Sequence, residues 1–406
     1  MPLGIYISVP FCRTKCSYCN FASDVFSKSA YENYLTRVIE DVNQSRSVAS
    51  ELGCANDEKV DTIYLGGGTP SILDSAQLLR IFNAVREQFV VDRDAEITVE
   101  CAPGTVTPAL IETLLRCGVN RVSLGVQSFV DQEAQSVGRL HTRSVVLEEI
   151  SRLRAAGLTN INIDLIAGLP HQTAESWTFS LAETIALGAP HASVYMLEVD
   201  DDSRLGRELI AGGTRYHAHF VPDDEATADF YVQACETLNA AGIAQYEISN
   251  FARAGTESRH NLKYWTRQPY FGFGVDAHSM LPAKGDGPAA AVRFSASDSL
   301  DGYMNRSAHT VNTVSRQAAI EESFFLGLWL NRGVDLERLG EEFMDEAIAE
   351  LEPVVADCLR EGLLERENSR ISLTKRGRLL SNEVFERFLM DKKEEVKVGT
   401  GSVNPR

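Results

Sequence analysis

The sequence predicts an α/β fold made of an open, partial (β/α)6 barrel and a C-terminal winged-helix-like α+β domain. Through the first half of the chain, β-rich runs alternate with amphipathic helical stretches at a period of about 30 residues, which is typical of βα units around a parallel sheet. Six units are too few to close an eight-stranded barrel, so the barrel is expected to be open. From about Ser315 the pattern changes to helices that end in a hairpin.

The predicted barrel strands are short runs rich in β-branched and aromatic residues. They are Ile5–Val9, Thr62–Leu65, Glu96–Glu100, Arg121–Gly125, Asn160–Leu165 and His191–Met196. The helices predicted between them have apolar residues at helical spacing. They are Tyr31–Ser47, Ser75–Phe89, Pro108–Cys117, Ser144–Ala156 and Ala174–Leu187. Because barrels gather functional groups at the carboxyl ends of strands, the polar residues that follow these strands are expected to form one site.

Changes in composition and in hydrophobic pattern divide the chain into four segments. We assign residues 1–200 to the barrel, 201–312 to a less regular extension, 313–390 to the C-terminal domain and 391–406 to a disordered tail that is charged and then Gly/Ser-rich. The elements predicted after the barrel are the helices Asp224–Ala241, Ser323–Leu330, Leu336–Leu339 and Ala347–Glu361 and the hairpin Gly362–Glu365 with Ile371–Thr374. The acidic helices of the C-terminal domain favour a structural cap over DNA recognition.

Composition excludes several classes of function. The chain has 57 Asp and Glu residues against 39 Lys and Arg residues, a formal charge of −18. Binding to a phosphate backbone needs clustered basic residues, so no nucleic-acid partner is expected. No apolar run reaches the length of roughly 18 to 20 residues that a membrane helix needs, and the N-terminal residues do not form a signal peptide. We therefore expect a cytoplasmic protein without a membrane span.

Three of the eight cysteines, Cys12, Cys16 and Cys19, fall within eight residues directly after the first predicted strand. The other five are scattered and are expected to be small buried residues. Like-charged thiolates are tolerated together mainly when a metal neutralises them, so the group predicts metal binding. A four-iron cluster would leave one iron without a protein ligand and open to an exogenous molecule. Zinc is the alternative, although a structural zinc site normally has a fourth protein ligand.

The spacing Cys12-x3-Cys16-x2-Cys19, with Tyr18 before the last cysteine, resembles the signature of radical S-adenosylmethionine (SAM) proteins. Further segments resemble, in order and spacing, the family of oxygen-independent coproporphyrinogen III oxidases and their relatives. This similarity covers about residues 5–385. Its segments are YISVPFC with Tyr6, the GGGTPS run from Gly66 to Ser71, TVEC with Glu100, GVQSF with Gln127, Gly138-Arg139-Leu140-His141 and DLIAGLPHQT with Asp164.

The resemblance implies a [4Fe-4S] cluster on the three cysteines and SAM on the open iron. Backbone amides of a glycine run can approach a ligand closely because no Cβ intervenes. Carboxylates can accept hydrogen bonds from an ammonium or from ribose hydroxyls, and a guanidinium can pair with a carboxylate. The residues implied to bind SAM are Tyr6, Tyr18, Gly67, Gly68, Thr69, Glu100, Gln127, Arg139 and Asp164.

Two groups within this family differ in the cysteine loop. The oxidases have a fourth cysteine two residues after the third and an N-terminal extension that takes part in activity. This sequence has Phe21 at that position, and eleven residues precede Cys12. Both differences favour resemblance to the HemW-type haem chaperones, relatives that bind haem and deliver it to acceptor proteins. The segment His260-Asn261-Leu262-Lys263-Tyr264-Trp265 resembles the HNxxYW motif of that group and favours the same assignment.

That motif provides a candidate haem site. An imidazole can ligate haem iron, and aromatic rings offer flat apolar surface to the macrocycle. The resemblance therefore predicts His260 as an axial ligand with Tyr264 and Trp265 beside it. His278 and His141 are weaker candidates.

Three functional hypotheses follow. The favoured one is a haem chaperone that binds a [4Fe-4S] cluster, SAM and haem and transfers haem to acceptor proteins. The first alternative is an oxygen-independent coproporphyrinogen III oxidase, which carries out oxidative decarboxylation in porphyrin biosynthesis. The second is a zinc-stabilised interaction protein. The resemblance implies haem-accepting proteins as partners, including membrane haem proteins reached by peripheral contact. A homodimer is one assembly that such a protein could form.

Overall fold

A computed structural model describes residues 1–55, 57–201, 203–285 and 287–389. The predicted tail at 391–406 lies outside these residues. The main body is built on a mixed sheet in which the described residues form twelve strands. In chain order they are β1 Leu3–Val9, β2 Lys59–Gly67, β3 Val90–Cys101, β4 Arg121–Gln127, β5 Asn160–Ala167, β6 His191–Met196, β7 Ala244–Gln245, β8 Asn250–Ala252, β9 Tyr270–Phe273, β10 His278–Pro282, β11 Ala289–Ser295 and β12 Thr310–Ser315.

Helices connect the strands of this sheet. They are α1 Lys28–Glu51, α2 Ser75–Gln88, α3 Pro108–Arg116, α4 Asp131–Ser136, α5 Arg143–Ala155, α6 Ala174–Ala186, α7 Arg204–Ala211, α8 Asp224–Ala240, α9 Arg259–Trp265 and α10 Leu300–Met304, with short 3-10 helices at Pro70–Ile72 and Ala218–Phe220. Capping residues mark where two of these helices begin. Asp74 and Gln77 form a capping box at α2, and the Thr173 side chain accepts a hydrogen bond from Ser176 N at α6. Within the described residues, no helix has the length and apolar character needed to cross a membrane.

Strands β1 to β6 lie side by side in chain order, and each neighbouring pair is parallel. On the outer side of β6, the short strand β8 is antiparallel. On the other side of β1, β9 adds in parallel and is followed by the antiparallel strands β10, β11 and β12. The strand order is linear, so the six-unit barrel is open, as the sequence predicts. The strands β7 to β12 were not predicted. β7 to β10 have two to five residues, which is too short for a clear period of two, whereas β11 and β12 are as long as barrel strands.

The register of the barrel strands separates an apolar face from a polar one. Ile5, Ile7, Ile63 and Leu65 are fully buried under the helices. The intervening residues face the inside of the barrel, where many are polar, and their alternation follows the period of two of a β-strand.

The C-terminal domain is built around a second apolar cluster, which also includes Ile248, Met280 and Ala291 of the main body. It contains α11 Arg316–Trp329, α12 Leu336–Phe343, α13 Asp345–Ala349, α14 Glu352–Arg360, α15 Lys375–Leu379 and α16 Ser381–Arg387, with a small sheet of β13 Val334–Asp335, β14 Leu364–Glu367 and β15 Arg370–Leu373. Strand β15 lies between the other two. The single helix predicted at Ala347–Glu361 is wrong: two helices meet there, and Pro353 lies at the start of the second. Proline has no N–H to donate within a helix, so it favours a new helix start.

Candidate functional site

The cysteine loop follows β1 and is closed at its base. Phe11 and Asp24 form a β-bridge, and Cys12 N donates to Asp24 O over 3.0 Å. Within the loop, Cys19 N donates to Cys16 O over 3.3 Å. All three cysteines are partly exposed and unpaired. The loop therefore presents three free thiols at the carboxyl end of the first barrel strand.

The environment of the Cys12 thiol changes its pKa. Burial raises the pKa of the Cys12 thiol, and the neighbouring Cys19 and Cys16 raise it further, while hydrogen bonds from Thr69 and Ser23 lower it. The Thr69 hydroxyl donates to Cys12 Sγ over 3.6 Å. In the described part of the chain, no three His, Cys, Asp or Glu side chains are grouped as a ready single-ion site. A four-iron cluster takes one thiolate per iron, so its ligands do not have to converge on one ion.

The glycine run at the end of β2 packs directly against the cysteine loop. Gly68 N donates to Val9 O and Thr69 N donates to Phe11 O, each over 2.8 Å. A Cβ on Gly68 would lie 2.7 Å from Val9 O and 2.8 Å from Phe11 O, which is too close for any side chain. Gly67 has φ +100°, a left-handed conformation that favours glycine. Gly67 and Gly68 must therefore be glycine for this run to pack against the cysteine loop.

Tyr18 connects the cysteine loop to the segment after α4. Arg139 Nη2 donates to the Tyr18 hydroxyl over 3.0 Å, in a part-buried position. Burial raises the pKa of Tyr18 despite the nearby Arg139 guanidinium. The guanidinium also covers Gly125 on β4: a Cβ there would lie 3.3 Å from Arg139 Nη2 and 3.2 Å from Gln127 Nε2. Thus Tyr18, Arg139 and Gln127 occupy one side of the barrel mouth.

Gln127 has two unusual properties. Its φ is +69°, a conformation that non-glycine residues adopt rarely and that often marks functional sites. Its side chain is buried, yet Gln127 Oε1 has no hydrogen-bond partner among the described residues, and neither do Arg139 Nε or Ser17 Oγ. Buried polar atoms normally have partners. Three buried polar atoms without hydrogen-bond partners at the barrel mouth indicate that a polar ligand can bind there.

Glu100 and the tyrosines lie on the adjacent strands. The Tyr64 hydroxyl donates to Glu100 Oε1 over 2.9 Å, and a Cβ on Gly66 would lie 3.0 Å from that oxygen. Tyr6 lies opposite Tyr64 in the β1–β2 register, with ring centroids 6.1 Å apart. The Tyr6 hydroxyl is 3.5 Å from the position of a Cβ on Gly67. These contacts join Tyr6, Glu100 and the glycine run on one wall of the barrel.

Asp164 belongs to a polar network inside the barrel. Its carboxylate accepts from Ser123 Oγ over 3.1 Å and from Asn162 Nδ2 over 2.7 Å. Burial raises the pKa of Asp164, and hydrogen bonds from Ser193, Ser123 and Asn162 partly offset that effect. The carboxylate is therefore oriented by neighbours on β4, β5 and β6.

The structure thus joins the residues implied to bind SAM into contacting groups. Thr69 contacts Cys12, Arg139 contacts Tyr18, and the carboxylate of Glu100 lies next to Gly66, the first residue of the glycine run. Asp164 contacts the strand residues of the lumen.

The histidine of the HNxxYW segment has a different environment. His260 is 1% exposed at the start of α9. Its Nδ1 is hydrogen-bonded to Thr62 Oγ1 and its Nε2 to the Tyr264 hydroxyl, each over 2.9 Å. Burial, then Lys263 and Arg121, lower the pKa of His260 to about 3. Both ring nitrogens are engaged, so iron ligation would require these hydrogen bonds to break.

The two aromatic residues of the same segment pack between the barrel and the C-terminal domain. Trp265 stacks on Trp329 of α11, with centroids 4.5 Å apart and planes 9° apart. Tyr264 makes an edge contact with Tyr270 and is 5% exposed. In this arrangement neither ring offers a free face to a macrocycle.

The two weaker histidine candidates also differ. His141 is buried, its Nε2 is hydrogen-bonded to Val126 O over 3.1 Å, and burial followed by Arg139 lowers the pKa to about 4. His278 is exposed, 3.8 Å from Asp276 Oδ1.

Sequence reasoning missed the polar lining of the barrel. Asn162 and Ser193 bond to each other, His191 bonds to Asn162 Oδ1 and to the Tyr246 hydroxyl, and Ser193 donates to Asn250. The sequence did contain a signal for this lining: polar residues occupy every second position of strands whose other residues are aliphatic. Such alternation inside a buried parallel strand predicts a polar lumen.

The residues at the barrel mouth fit the cofactors implied by the cysteine motif. Three thiols lie on one loop, a hydroxyl donates to one of them, and the loop is held against a run that admits no Cβ. The unsatisfied Gln127 Oε1 and Arg139 Nε provide an acceptor and a donor for a zwitterionic ligand. The donor set matches an iron–sulfur cluster with a polar ligand beside it.

Comparison with known proteins gives concordant results. Residues 6–181 match the Radical SAM superfamily, and residues 314–380 match the HemN C-terminal domain. Heme chaperone HemW of Lactococcus lactis is 33% identical over 395 residues, covering 96% of this chain and 98% of that protein. Heme chaperone HemW of Bacillus subtilis is 33% identical over 386 residues, covering 95% and 98%.

Among solved structures, coproporphyrinogen III oxidase (HemN) from Escherichia coli, described as a radical SAM enzyme, has a TM-score of 0.80. It is 23% identical, and the match covers 95% of this chain and 90% of that one. The likeness shows that the two proteins share the fold. The superfamily match implies a [4Fe-4S] cluster and SAM as cofactors. Because its sequence is similar to both HemW relatives over nearly their whole length, the chain belongs to the HemW family of radical SAM proteins.

Proposed function

We propose that this protein is a haem chaperone that carries a [4Fe-4S] cluster and SAM, binds haem and transfers it to acceptor proteins. The observation that carries the proposal is the near-full-length similarity to proteins named heme chaperone HemW. The acceptors are haem proteins, including membrane haem proteins reached by peripheral contact. A homodimer and a cytoplasmic location remain part of the proposal.

Cys12, Cys16 and Cys19 are the proposed cluster ligands, because they share one loop at the strand ends. The cluster, when bound, supplies an open iron on which SAM is chelated by its amino and carboxylate groups. Around it, Thr69 donates toward the Cys12 sulfur, and Arg139 provides a guanidinium for a carboxylate. The SAM contacts proposed for this chain are Tyr6, Tyr18, Gly67, Gly68, Thr69, Glu100, Gln127, Arg139 and Asp164.

Anaerobic reconstitution tests the cluster. The unmodified chain should take up about four irons and show a cluster absorption band. Cys12→Ala, Cys16→Ala and Cys19→Ala should each abolish that band, whereas Cys235→Ala, a cysteine on α8 away from the loop, should retain it. Stoichiometric zinc in place of iron would contradict the proposal and support the zinc-stabilised alternative.

Haem titration tests the chaperone function on the same sample. A Soret shift that saturates at a defined stoichiometry, followed by transfer to apomyoglobin used as a probe acceptor, is expected. Failure of the reconstituted chain to bind haem would refute the chaperone proposal. The shared fold with HemN makes an oxidase assay the necessary parallel measurement. Formation of protoporphyrinogen from coproporphyrinogen III with SAM and a reductant would replace the proposal with the oxidase function.

A further inference from the structure

A row of hydrogen-bonded side chains inside the barrel ends at Asp164. It starts at Tyr246, just after β7, passes through His191 at the start of β6 and reaches Asn162 on β5. Tyr246 Oη lies 2.9 Å from His191 Nε2, and His191 Nδ1 lies 2.6 Å from Asn162 Oδ1. Asn162 Nδ2 then lies 2.7 Å from Asp164 Oδ1. His191 and Asn162 are buried, so water does not compete for the contacts between them.

The chemistry of this row fixes where its protons lie. An ionised carboxylate only accepts hydrogen bonds, so Asn162 must direct Nδ2 at Asp164 and Oδ1 at His191. His191 Nδ1 must then carry a proton, which it donates to Asn162 Oδ1. Burial, followed by Arg121, lowers the pKa of His191 well below its usual value, so the ring is neutral and has one proton. Its Nε2 therefore accepts from the Tyr246 hydroxyl.

The same contacts exclude the opposite orientation of the Asn162 amide. Turning the amide over would place Oδ1 against the Asp164 carboxylate and Nδ2 against the N–H of His191. Two acceptors and two donors would then face each other in a buried place, which is costly. Asn162 Nδ2 also lies 2.8 Å from Ser123 Oγ and 2.9 Å from Ser193 Oγ, but hydroxyls both donate and accept and do not decide the orientation. His191 thus selects the orientation of Asn162 that donates to Asp164.

Asp164 keeps acceptor capacity toward the barrel interior. Asn162 donates to Oδ1, and Ser123 Oγ donates to Oδ2 over 3.1 Å. Each carboxylate oxygen can accept a further hydrogen bond. Asp164 is partly exposed, unlike Asn162, and the next residue, Leu165, pairs in register with Gln127 of the barrel mouth. The carboxylate is therefore an acceptor for ligand hydroxyl groups just below the mouth.

We propose that Asn162 is a positioning residue for Asp164, and that His191 acts one step further back by orienting the Asn162 amide. The two residues hold the carboxylate so that its remaining acceptor sites serve the ribose hydroxyls of SAM. The inference rests on the proposed SAM site and adds to it two residues that belong to none of its sequence motifs. Both act through Asp164, so their effect should be confined to the ribose part of the ligand.

SAM binding to the reconstituted full-length chain tests Asn162. Asn162→Leu keeps the approximate shape of the side chain and removes the donor, so the dissociation constant for SAM should rise about tenfold at unchanged iron content. Asn160→Leu, the same change two residues earlier on β5, should bind SAM like the unmodified chain. Methionine has the amino and carboxylate groups of SAM but no ribose, so all three proteins should bind it equally. An equal loss of methionine and SAM affinity in Asn162→Leu would overturn the inference.

Asn162→Asp adds a pH readout that a merely structural role would not produce. The new carboxyl keeps the shape of the side chain and the acceptor for His191. When protonated it can donate to Asp164, and when ionised it repels that carboxylate. The charged and titratable groups that face Asp164 from neighbouring strands include Arg121 and Tyr64, which this variant leaves unchanged.

The dissociation constant of Asn162→Asp for SAM should therefore rise at least about fivefold, relative to that of the unmodified chain, as pH increases from about 5.5 to about 8.5. A pH profile parallel to that of the unmodified chain contradicts the proposed contact with Asp164. Because this variant retains the hydrogen bond from His191, it also tests the inference if Asn162→Leu does not fold.

His191 is tested by loss and rescue. His191→Ala removes the donor to Asn162, and SAM affinity should fall about threefold or more. His191→Asn should restore most of that affinity, since an asparagine Nδ2 lies close to the place of a histidine Nδ1. Both variants lose the contact with Tyr246, so the difference between them reports the donor alone. Equal SAM affinity of the two variants would show that His191 does not orient Asn162.

Asp164→Asn separates this inference from the proposed function. If Asp164→Asn weakens SAM binding while both Asn162 variants bind like the unmodified chain, Asp164 stays in the SAM site and only the role of Asn162 is wrong. If Asp164→Asn binds SAM normally, both assignments are wrong. If the unmodified chain takes up its cluster but binds no SAM, the proposed SAM site fails as a whole.

Discussion

Arg139 donates a hydrogen bond to the Tyr18 hydroxyl over 3.0 Å and so connects the cysteine loop to a segment more than a hundred residues later in the chain. Tyr18 precedes the last cysteine of the motif, and the guanidinium also covers Gly125 at the end of β4. This part-buried charged hydrogen bond therefore adds to the backbone contacts that hold the loop against the barrel, such as Ser17 N to Val137 O over 3.1 Å.

The first prediction concerns this hydrogen bond. Tyr18→Phe removes the acceptor from Arg139 and should lower the free energy of unfolding by about 1.5 to 3 kcal/mol, since a hydrogen bond to a charged group is lost. SAM affinity should fall too, because the guanidinium is no longer fixed. Urea unfolding and equilibrium dialysis measure the two effects. Tyr31→Phe, whose ring stacks on Phe11, is the control. Equal behaviour of the two variants would contradict the role of Tyr18.

The second prediction concerns the glycine run. A Cβ on Gly68 would lie within 2.7 to 2.9 Å of three backbone atoms of Val9 and Phe11, so Gly68→Ala must displace the start of the cysteine loop. Iron content after reconstitution should drop by at least half, and stability should fall by about 1 to 3 kcal/mol. Gly287→Ala has open space around the new Cβ and serves as the control. Full iron loading of Gly68→Ala would show that the close packing is dispensable.

The third prediction treats His260 as a residue of the protein core. Its ring is buried and bonded at both nitrogens, so His260→Ala leaves a cavity and removes the partners of Thr62 and Tyr264. The free energy of unfolding should fall by about 2 to 4 kcal/mol. His278→Ala changes an exposed side chain and should stay within about 0.5 kcal/mol of the unmodified protein. A fully stable His260→Ala variant that has lost haem would instead support His260 as an iron ligand.

The fourth prediction is a pH dependence from Glu247. This carboxyl is fully buried, and burial raises its pKa to about 7, while hydrogen bonds from Ser249 and Asn250 oppose the shift. The folded state then holds the proton more tightly than the unfolded state, whose pKa is about 4.3. Stability is therefore highest below that lower value, falls as pH rises toward 7, and changes little above it.

Glu247→Gln isolates this effect, because glutamine does not titrate. Between about pH 5 and pH 8 the unmodified protein should lose about 2 to 3 kcal/mol of stability relative to the variant. Denaturant unfolding at a series of pH values measures the difference. Parallel pH curves for the two proteins would exclude a raised pKa at Glu247.

Much of the barrel could be predicted from the sequence because periodicity is a local property. All six predicted strands form, and the helix predicted at Ser75–Phe89 is observed at Ser75–Gln88. The cysteine loop and the strand-end residues followed from spacing and resemblance. Two things depended on tertiary structure instead: the pairing of β9 with β1, and the burial of His260 against Thr62. A motif gives the type of a residue, but its hydrogen-bond partners come from segments far apart in the chain.

The position of β1 in the sheet has a consequence for synthesis of the protein on the ribosome. β1 begins at Leu3, yet one of its two neighbours is β9, which begins at Tyr270. Proteins fold as they emerge from the N-terminus, and contacts across a long sequence separation form late. The edge of β1 from Gly4 to Ile7 therefore stays unpaired until about two thirds of the chain has been made. During that interval this strand edge is open to pairing with a wrong strand.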